Sequence, residues 1–139
     1  VTEIGDYAFR DCSSLQSVTI GNSVTTIGYA AFYECSSLTS VTIPDSVTTI
    51  GEYAFNDCDS LTSVTIPDSV TAIGNFAFKY CSSLESVYCK PTTPPSIGNG
   101  VFDNNTSSRK IYVPAESVAA YQTASYWSNY VSYIVGYDF

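Results

Sequence analysis

Several residue types are scarce or missing in this chain of 139 residues, and each shortage excludes a kind of chemistry. There is no histidine, so the commonest general base and metal ligand is absent. Five Lys and Arg stand against 13 Asp and Glu, and this balance disfavours binding to nucleic acid or an anionic membrane. No apolar run is long enough to span a bilayer, and there is no signal-peptide pattern. We therefore expect no enzyme, no cofactor, no nucleic acid partner and no membrane insertion.

Methionine is also absent, including from position 1. The first residues, 1–5, follow the same pattern as residues 24–28, which lie in the middle of a repeated motif. We therefore expect the chain to be a piece of a longer array whose signal or anchor lies elsewhere, and we expect it to be a monomer.

What the chain contains in abundance is one motif that recurs at a spacing of 23 residues. Three of its columns are Ile4, Ile27, Ile50 and Ile73; Cys12, Cys35, Cys58 and Cys81; and Leu15, Leu38, Leu61 and Leu84. A fixed period in this range is typical of solenoids, in which identical units stack and bury their apolar side chains between neighbours. The period therefore predicts a stack of short parallel strands.

One unit shows the expected course of the backbone. Residues 38–43 alternate apolar and small polar side chains, as a half-buried strand does, and residues 44–46 form a turn. Residues 47–50 predict a second short strand, and Gly51 predicts a backbone conformation closed to other residues. Residues 52–58 then predict a short turn or a single helical turn.

The columns also predict the core and the ends of the stack. The inward ladder is expected to consist of Phe9, Phe32, Phe55, Phe78 and Phe102. Residues 1–90 form four near-regular repeats, the first truncated at its start, and residues 91–113 form a degenerate fifth repeat loosened by prolines. Residues 114–139, helical and aromatic, are expected to cover the last repeat as a C-terminal cap and to block pairing at its edge.

These motifs resemble a known family. The segment Ile-Gly-x-x-Ala-Phe-x-x-Cys-x-Ser-Leu and the linker Ile-Pro-Asp-Ser-Val-Thr resemble BspA-like leucine-rich repeats. Residues 111–118, with Tyr121 and Trp127, resemble the C-terminal end of such arrays in anaerobic bacteria. The resemblance implies a leucine-rich-repeat solenoid, mainly β, with short helical turns opposite the strands and a small helical and aromatic cap.

The resemblance also implies a role. Proteins of this class are mostly secreted or attached to the bacterial surface, and some are adhesins for host extracellular-matrix proteins. The expected function is therefore a binding or adhesion module whose partner is a protein, such as a host matrix protein, or a surface glycan. The alternative is a structural spacer that presents another domain, and a carbohydrate-active enzyme is the outlying possibility.

The cysteines have three interpretations. Four of them form the column Cys12, Cys35, Cys58 and Cys81, and Cys89 takes an inward position normally held by isoleucine. Zinc sites use closely paired ligands, which this chain lacks. Stacked cysteines would be near enough for a disulfide, but their side chains should point the same way. Buried free thiols are therefore expected, with a disulfide or a metal site as alternatives.

Two polar patterns at the turns are also ambiguous. The acids Asp11, Glu34 and Asp57 form a column that either coats the surface with charge or binds calcium, and we expect the former because no glycine-rich loop accompanies them. The triplets at residues 45–47, 59–61 and 68–70 resemble an O-glycosylation acceptor of some secreted bacterial proteins. Asp and Ser are equally typical of turns.

The strand face changes character along the stack. Its outward positions are Ser and Thr in the first three repeats, but Tyr88 and Tyr112 appear in the last two, with Glu85, Arg109 and Lys110 beside them. Tyr and Arg dominate protein interfaces. We therefore expect these five residues to form a partner-contact patch. The alternative is that they pack against the cap.

Overall fold

The computed structural model describes residues 1–139 as a stack of strands that are two to five residues long. In chain order the strands are β1 (Glu3–Ile4), β2 (Ser17–Thr19), β3 (Thr26–Ile27), β4 (Ser40–Thr42), β5 (Thr49–Ile50), β6 (Ser63–Ile66), β7 (Ala72–Ile73), β8 (Ser86–Cys89), β9 (Ser96–Ile97), β10 (Lys110–Pro114) and β11 (Ile134–Tyr137). Between β10 and β11 lie a 3-10 helix (Ala115–Ser117), helix α1 (Val118–Thr123) and a second 3-10 helix (Trp127–Tyr133).

Every strand pair is parallel, and all but the pair of β10 with β11 join one repeat to the next. The odd-numbered strands form one sheet in the order β1-β3-β5-β7-β9. On the other side β2 pairs with β4, and β6, β8, β10 and β11 form a four-stranded sheet. Ile4 pairs with Ile27 and Val18 with Val41, so each residue lies beside its counterpart in the next repeat. The predicted leucine-rich-repeat solenoid is confirmed.

A third segment of each unit, the turn ribbon, connects the two sheets and comprises residues 5–12, 28–35, 51–58, 74–81 and 98–105. It forms turns and not a helix. Alternate N–H groups donate to the next layer, as Phe9 N does to Ala31 O at 2.7 Å, and those between them donate within the same turn. Two positions per ribbon have positive φ, and most of them are not glycine. These residues are Tyr7, Asp11, Ala30, Glu34, Tyr53, Asp57, Phe76, Tyr80, Gly100 and Asn104.

The expectation for Gly51 was wrong. Its φ does not lie in the left-handed region, which within its ribbon is occupied by Tyr53 and Asp57. A Cβ at Gly51 would instead lie 2.8 Å from the carbonyl carbon and oxygen of Gly28 in the preceding layer. Glycine is needed at this column because the backbones of successive layers approach too closely for any side chain.

The core consists of ladders that run through the stack. Phe32 and Phe55 stack with ring centroids 5.1 Å apart and planes 4° from parallel. Phe78 and Phe102 stack at 5.8 Å and 12°, where the fifth repeat is loosened. Of the five phenylalanine rings in this ladder, all except that of Phe9 are fully buried. The predicted phenylalanine ladder is therefore present.

The cap closes the stack by supplying donors to the proline-containing loop before β9. Tyr121 donates its hydroxyl to Pro91 O at 2.6 Å, and Trp127 donates Nε1 to Pro95 O at 2.8 Å. Both side chains are fully buried. These two hydrogen bonds satisfy loop carbonyls that would otherwise accept from the N–H groups of a further repeat. None of the helices has the length and hydropathy needed to cross a membrane.

The cap occupies the edge of the last repeat with a strand of its own. Its last segment, β11, pairs with β10 in parallel, with Ile111 beside Ile134 and Pro114 beside Tyr137. The cap therefore adds one more strand, and β11 becomes the edge of the sheet. At the opposite end the first layer is open, with Phe9 42% exposed beside a cavity of about 580 Å³.

Candidate interaction surfaces

The outward face of the four-stranded sheet carries a tyrosine cluster, defined as Tyr88, Tyr112 and Tyr137. The parallel register places Tyr112 directly beside Tyr88, and their rings stack with centroids 4.9 Å apart and planes 12° from parallel. Both side chains are half-buried, since each covers a face of the other. In the layer before them, the residue beside Tyr88 is Thr65, so the aromatic surface begins at Tyr88.

Tyr137 joins this cluster from the cap. Its ring makes edge-on contacts with Tyr88 at 5.6 Å and with Tyr112 at 5.4 Å, and 42% of the residue remains exposed. Phe139 packs on Tyr137 at 4.8 Å and is 51% exposed. Tyr137 was not predicted as part of this surface, because no strand was expected after the cap helices. The β-branched pair Ile134 and Val135 was the available signal for that strand.

The charged members of the predicted patch separate into two groups. Glu85 and Lys110 are exposed on the strand side. Arg109 is buried, with its guanidinium 4.0 Å from the ring centroid of Tyr133 and Nη1 donating to Thr106 O at 2.8 Å. Arg109 therefore stabilises the junction between the last repeat and the cap. Its inclusion in an exposed patch was wrong, because its neighbours on the cap cover it.

A second aromatic surface lies on the turn ribbons and was not predicted. The aromatic ridge consists of Tyr7, Tyr29, Tyr33, Tyr53, Phe76 and Tyr80. Its rings meet in series, with centroids 5.3 Å apart for Tyr7 and Tyr29 and 5.7 Å apart for Tyr29 and Tyr53. Tyr7 and Tyr80 are 50% and 44% exposed. The ridge could not be recognised as a column of the repeat, because its tyrosines occupy different positions in successive repeats.

The ridge also carries two basic side chains of the chain itself. The guanidinium of Arg10 lies 5.4 Å from the Tyr7 ring centroid and 5.6 Å from that of Tyr33. The ammonium of Lys79 lies 4.9 Å from the ring centroids of both Phe76 and Tyr80. Each distance is within the range of a cation–π interaction.

An acidic strip, defined as Asp11, Glu34, Asp57 and Asp59, runs beside the ridge. These four acids and two serines line a polar depression of about 390 Å³. A hydrogen bond with Asp11, partial desolvation and the nearby carboxylates raise the pKa of Glu34 above its usual 4.5. Desolvation and the charge of Asp59 raise the pKa of Asp57. The strip contains no cluster of acids close enough together to hold a metal ion.

The cysteine column forms a hydrogen-bonded ladder. Cys35 Sγ donates to Phe9 O at 3.1 Å, Cys58 Sγ to Phe32 O at 3.3 Å, and Cys81 Sγ to Phe55 O at 3.1 Å. These three thiols and that of Cys89 are buried and free, and Cys12 is free and partly buried. Burial raises the pKa of the Cys35 thiol to about 12. A thiol with so high a pKa is a poor nucleophile and a poor metal ligand.

Two of the Asp-Ser triplets have their hydroxyl groups engaged. Ser60 Oγ donates to Ser36 O at 2.7 Å, and Ser69 Oγ donates to Val47 O at 2.6 Å. Val47 N and Val70 N close tight turns by donating to Pro44 O and Pro67 O. The triplets thus serve as turns, and modification of Ser60 or Ser69 would displace a hydrogen bond between layers.

The repeated sequence motif identifies the family of the chain. The profile of the BspA type leucine rich repeat region matches residues 2–131 in six copies. The chain belongs to the BspA-type leucine-rich repeat family. No curated protein is significantly similar to this BspA-type chain.

Solved structures of bacterial leucine-rich repeat proteins share the fold. A T. pallidum leucine-rich repeat protein is 29% identical, with a TM-score of 0.77 over 98% of this BspA-type chain and 62% of its own. One from Bacteroides capillosus is 39% identical, with a TM-score of 0.59 over 64% of this chain and 63% of its own. A leucine-rich cell surface protein of Faecalibacterium prausnitzii is 30% identical, with a TM-score of 0.53 over 86% of this chain and 41% of its own. The chain thus spans less than two thirds of each of these proteins.

Proposed function

We propose that this chain is a protein-binding module of a bacterial surface or secreted protein, and that the tyrosine cluster is its contact site. The observation that carries the proposal is the stacked pair Tyr88 and Tyr112 on an otherwise bland Ser and Thr strand face. Tyrosines present a large rigid contact area and a hydroxyl group, which suits them to recognition of protein surfaces.

The surroundings of the cluster support the same role. Lys110 and Glu85 are exposed beside it and offer charges of both signs for a partner's polar groups. Tyr137 in β11 and Phe139 just after it extend the aromatic surface to the edge of the sheet, because β11 has no neighbouring strand on its outer side. Exposed aromatic patches with a charged rim are typical of protein interaction sites. A surface location is supported by the family and by the cell surface protein of Faecalibacterium prausnitzii.

The experiment is a binding measurement on immobilised collagen, fibronectin and laminin, with a glycan array in parallel. The variants are Tyr88→Ser and Tyr112→Ser, singly and together. We expect the double variant to lose at least about tenfold in affinity for the partner found, since each aromatic anchor contributes about 1 kcal/mol or more. Tyr126→Ser, a change at an exposed tyrosine of the cap, is the matched control.

The thermal midpoint of each variant separates binding from packing. Lost affinity at an unchanged midpoint supports a contact site. A large fall in the midpoint with a proportional loss of binding would show that the pair only packs against the cap. Absence of binding to all of these probes would favour the role of a structural spacer.

A further inference from the structure

The aromatic ridge and the acidic strip form one continuous surface, because Arg10 contacts both. Its guanidinium lies 5.6 Å from the Tyr33 ring centroid, and its Nε lies 3.6 Å from Asp11 Oδ2. Burial and the charges of Glu34 and Asp57 raise the pKa of the Tyr33 phenol, while Arg10 opposes this shift. Tyr80 continues the same left-handed column of the ribbon as Asp57.

This surface already holds basic side chains. Arg10 lies over two tyrosine rings and Lys79 lies over Phe76 and Tyr80, although only Arg10 has a carboxylate partner within 4.0 Å. That ion pair, from Arg10 Nε to Asp11 Oδ2, is 3.6 Å long and exposed, so it stabilises the arrangement little. The ring faces themselves are therefore suited to ammonium and guanidinium groups.

The ridge has a notch where a further side chain fits. The left-handed position that holds Tyr7 and Tyr53 in other layers holds Ala30 in the second layer, which leaves a gap. The gap has a volume of about 180 Å³ and is walled by Tyr7, Tyr29, Tyr33, Tyr53 and Arg10, with Ala30 at its floor. Four tyrosines around a small floor form an aromatic recess for one side chain of a partner.

The negative charge of the acidic strip favours a partner with positively charged side chains. The acidic strip places four carboxylates along three layers, and the raised pKa values of Glu34 and Asp57 reflect in part the repulsion between neighbouring acids. A cation placed between them would relieve this repulsion. The spacing of the acids does not suit a metal ion, whereas flexible side chains along a peptide can follow the strip from layer to layer.

We propose that the aromatic ridge and the acidic strip together form a docking surface for an extended basic peptide segment of a partner protein. Its arginine or lysine side chains lie over the tyrosine rings of the ridge that Arg10 leaves uncovered and pair with the acids of the strip. This surface lies on the turn ribbons, and the tyrosine cluster lies on β8, β10 and β11, so two partners or two parts of one partner can bind together.

Fluorescence anisotropy with a labelled peptide of alternating Arg and Gly tests this proposal at about 0.15 M salt, where long-range attraction is screened. Peptides in which Glu or Ser replaces Arg are the controls for charge. We expect binding of the Arg peptide alone. The double variants Tyr33→Ser with Tyr53→Ser and Glu34→Gln with Asp57→Asn should each weaken it by about tenfold.

Matched variants separate a site from general attraction by an acidic chain. Asp45→Asn with Asp68→Asn removes the same charge from exposed turns outside the ribbon and should leave the affinity unchanged. Tyr33→Phe keeps the ring and should retain binding even if Tyr33→Ser fails to fold. Tyr88→Ser with Tyr112→Ser should also retain it, whether or not the tyrosine cluster binds another partner. Equal weakening by both acid pairs, or no binding of the Arg peptide by the wild-type chain, overturns the proposal.

Discussion

Cys81 and Asn105 occupy the same position in successive layers, and both donate to a phenylalanine carbonyl of the layer before. Cys81 Sγ reaches Phe55 O at 3.1 Å, and Asn105 Nδ2 reaches Phe78 O at 2.9 Å. The column is thus defined by its donor and not by sulfur chemistry. Asn105 replaces a thiol by an amide in the loosened fifth layer, and its Nδ2 also donates to Cys81 O at 3.3 Å.

The first prediction concerns the donor in the middle of this column. Cys58→Ala should lower the free energy of unfolding by about 1–3 kcal/mol, because the buried carbonyl of Phe32 loses one of its two donors and a small cavity remains; the donor that stays is Cys35 N at 3.3 Å. Cys58→Ser retains a donor and should cost less. Urea denaturation monitored by circular dichroism measures both. Equal losses for the two variants would show that volume alone matters at this position.

The second prediction concerns thiol reactivity. Cys12 is the partly buried member of the column, whereas the other four thiols are buried, and burial raises the pKa of Cys89 to about 12. Mass spectrometry after alkylation of the native protein near pH 8 should therefore show one modified residue, Cys12. Alkylation after denaturation should modify all five cysteines. Two missing thiols after denaturation without reductant would instead reveal a disulfide.

The third prediction follows from the phenylalanine ladder. Phe55 is buried between two parallel rings, whereas Phe9 has a ring on only one side and is 42% exposed. Phe55→Ala should therefore cost about 3–5 kcal/mol of unfolding free energy. Phe9→Ala should cost less than half as much, although the two residues occupy the same column. Similar losses at both positions would mean that another element covers the open end in solution.

The fourth prediction concerns the cap. Trp127→Phe keeps an aromatic ring against Phe102 and Tyr121 but removes the donor to Pro95 O. The loss of this buried hydrogen bond should cost about 1–3 kcal/mol. Hydrogen exchange should accelerate first in β9 and β10, which lie under the cap, and little in β1 and β3. Uniform acceleration along the chain would show that the stack opens as a single cooperative unit.

The period predicted the layers because residues with the same role recur at the same spacing, as the stacking of Ile27 on Ile50 illustrates. It predicted a turn at the ribbon but not the conformation of that turn, because positions such as Tyr53 and Glu34 are left-handed without being glycine. There the ladder of bonds to the next layer imposes a conformation that the residue itself disfavours. A property that arises only between layers cannot be read from one unit.

The ends of the chain were harder to predict than its middle for a related reason. Arg109 lies in a strand column that is exposed in earlier layers, but the cap residue Tyr133 covers it. Tyr137 joins the tyrosine cluster because β11 pairs in parallel with β10, and no repeat motif in the sequence predicts this pairing. Both positions depend on how the cap folds back, and the cap lies outside the period.

The last prediction concerns the dependence of stability on pH. A hydrogen bond with Asp11, together with desolvation and nearby carboxylates, raises the pKa of Glu34 above 4.5 in the folded chain. In the window between 4.5 and this raised pKa, the folded state binds more protons than the unfolded state. The contribution of Glu34 to stability therefore falls as the pH rises through the window. Glu34→Gln should be more stable than the wild type near neutral pH, and this difference should shrink as the pH falls towards 4.5.

The variant Asp11→Asn tests the cause of the raised Glu34 pKa, because the hydrogen bond with Asp11 contributes most to it. This variant should lose the same pH-dependent penalty, and adding Glu34→Gln to it should then change stability little. Guanidinium chloride would screen the charges, so urea denaturation between about pH 4 and pH 7 is the appropriate measurement. A stability advantage of Glu34→Gln that stays constant across this range would mean that the two carboxylates do not share a proton, and that the acidic strip is less crowded than the structure indicates.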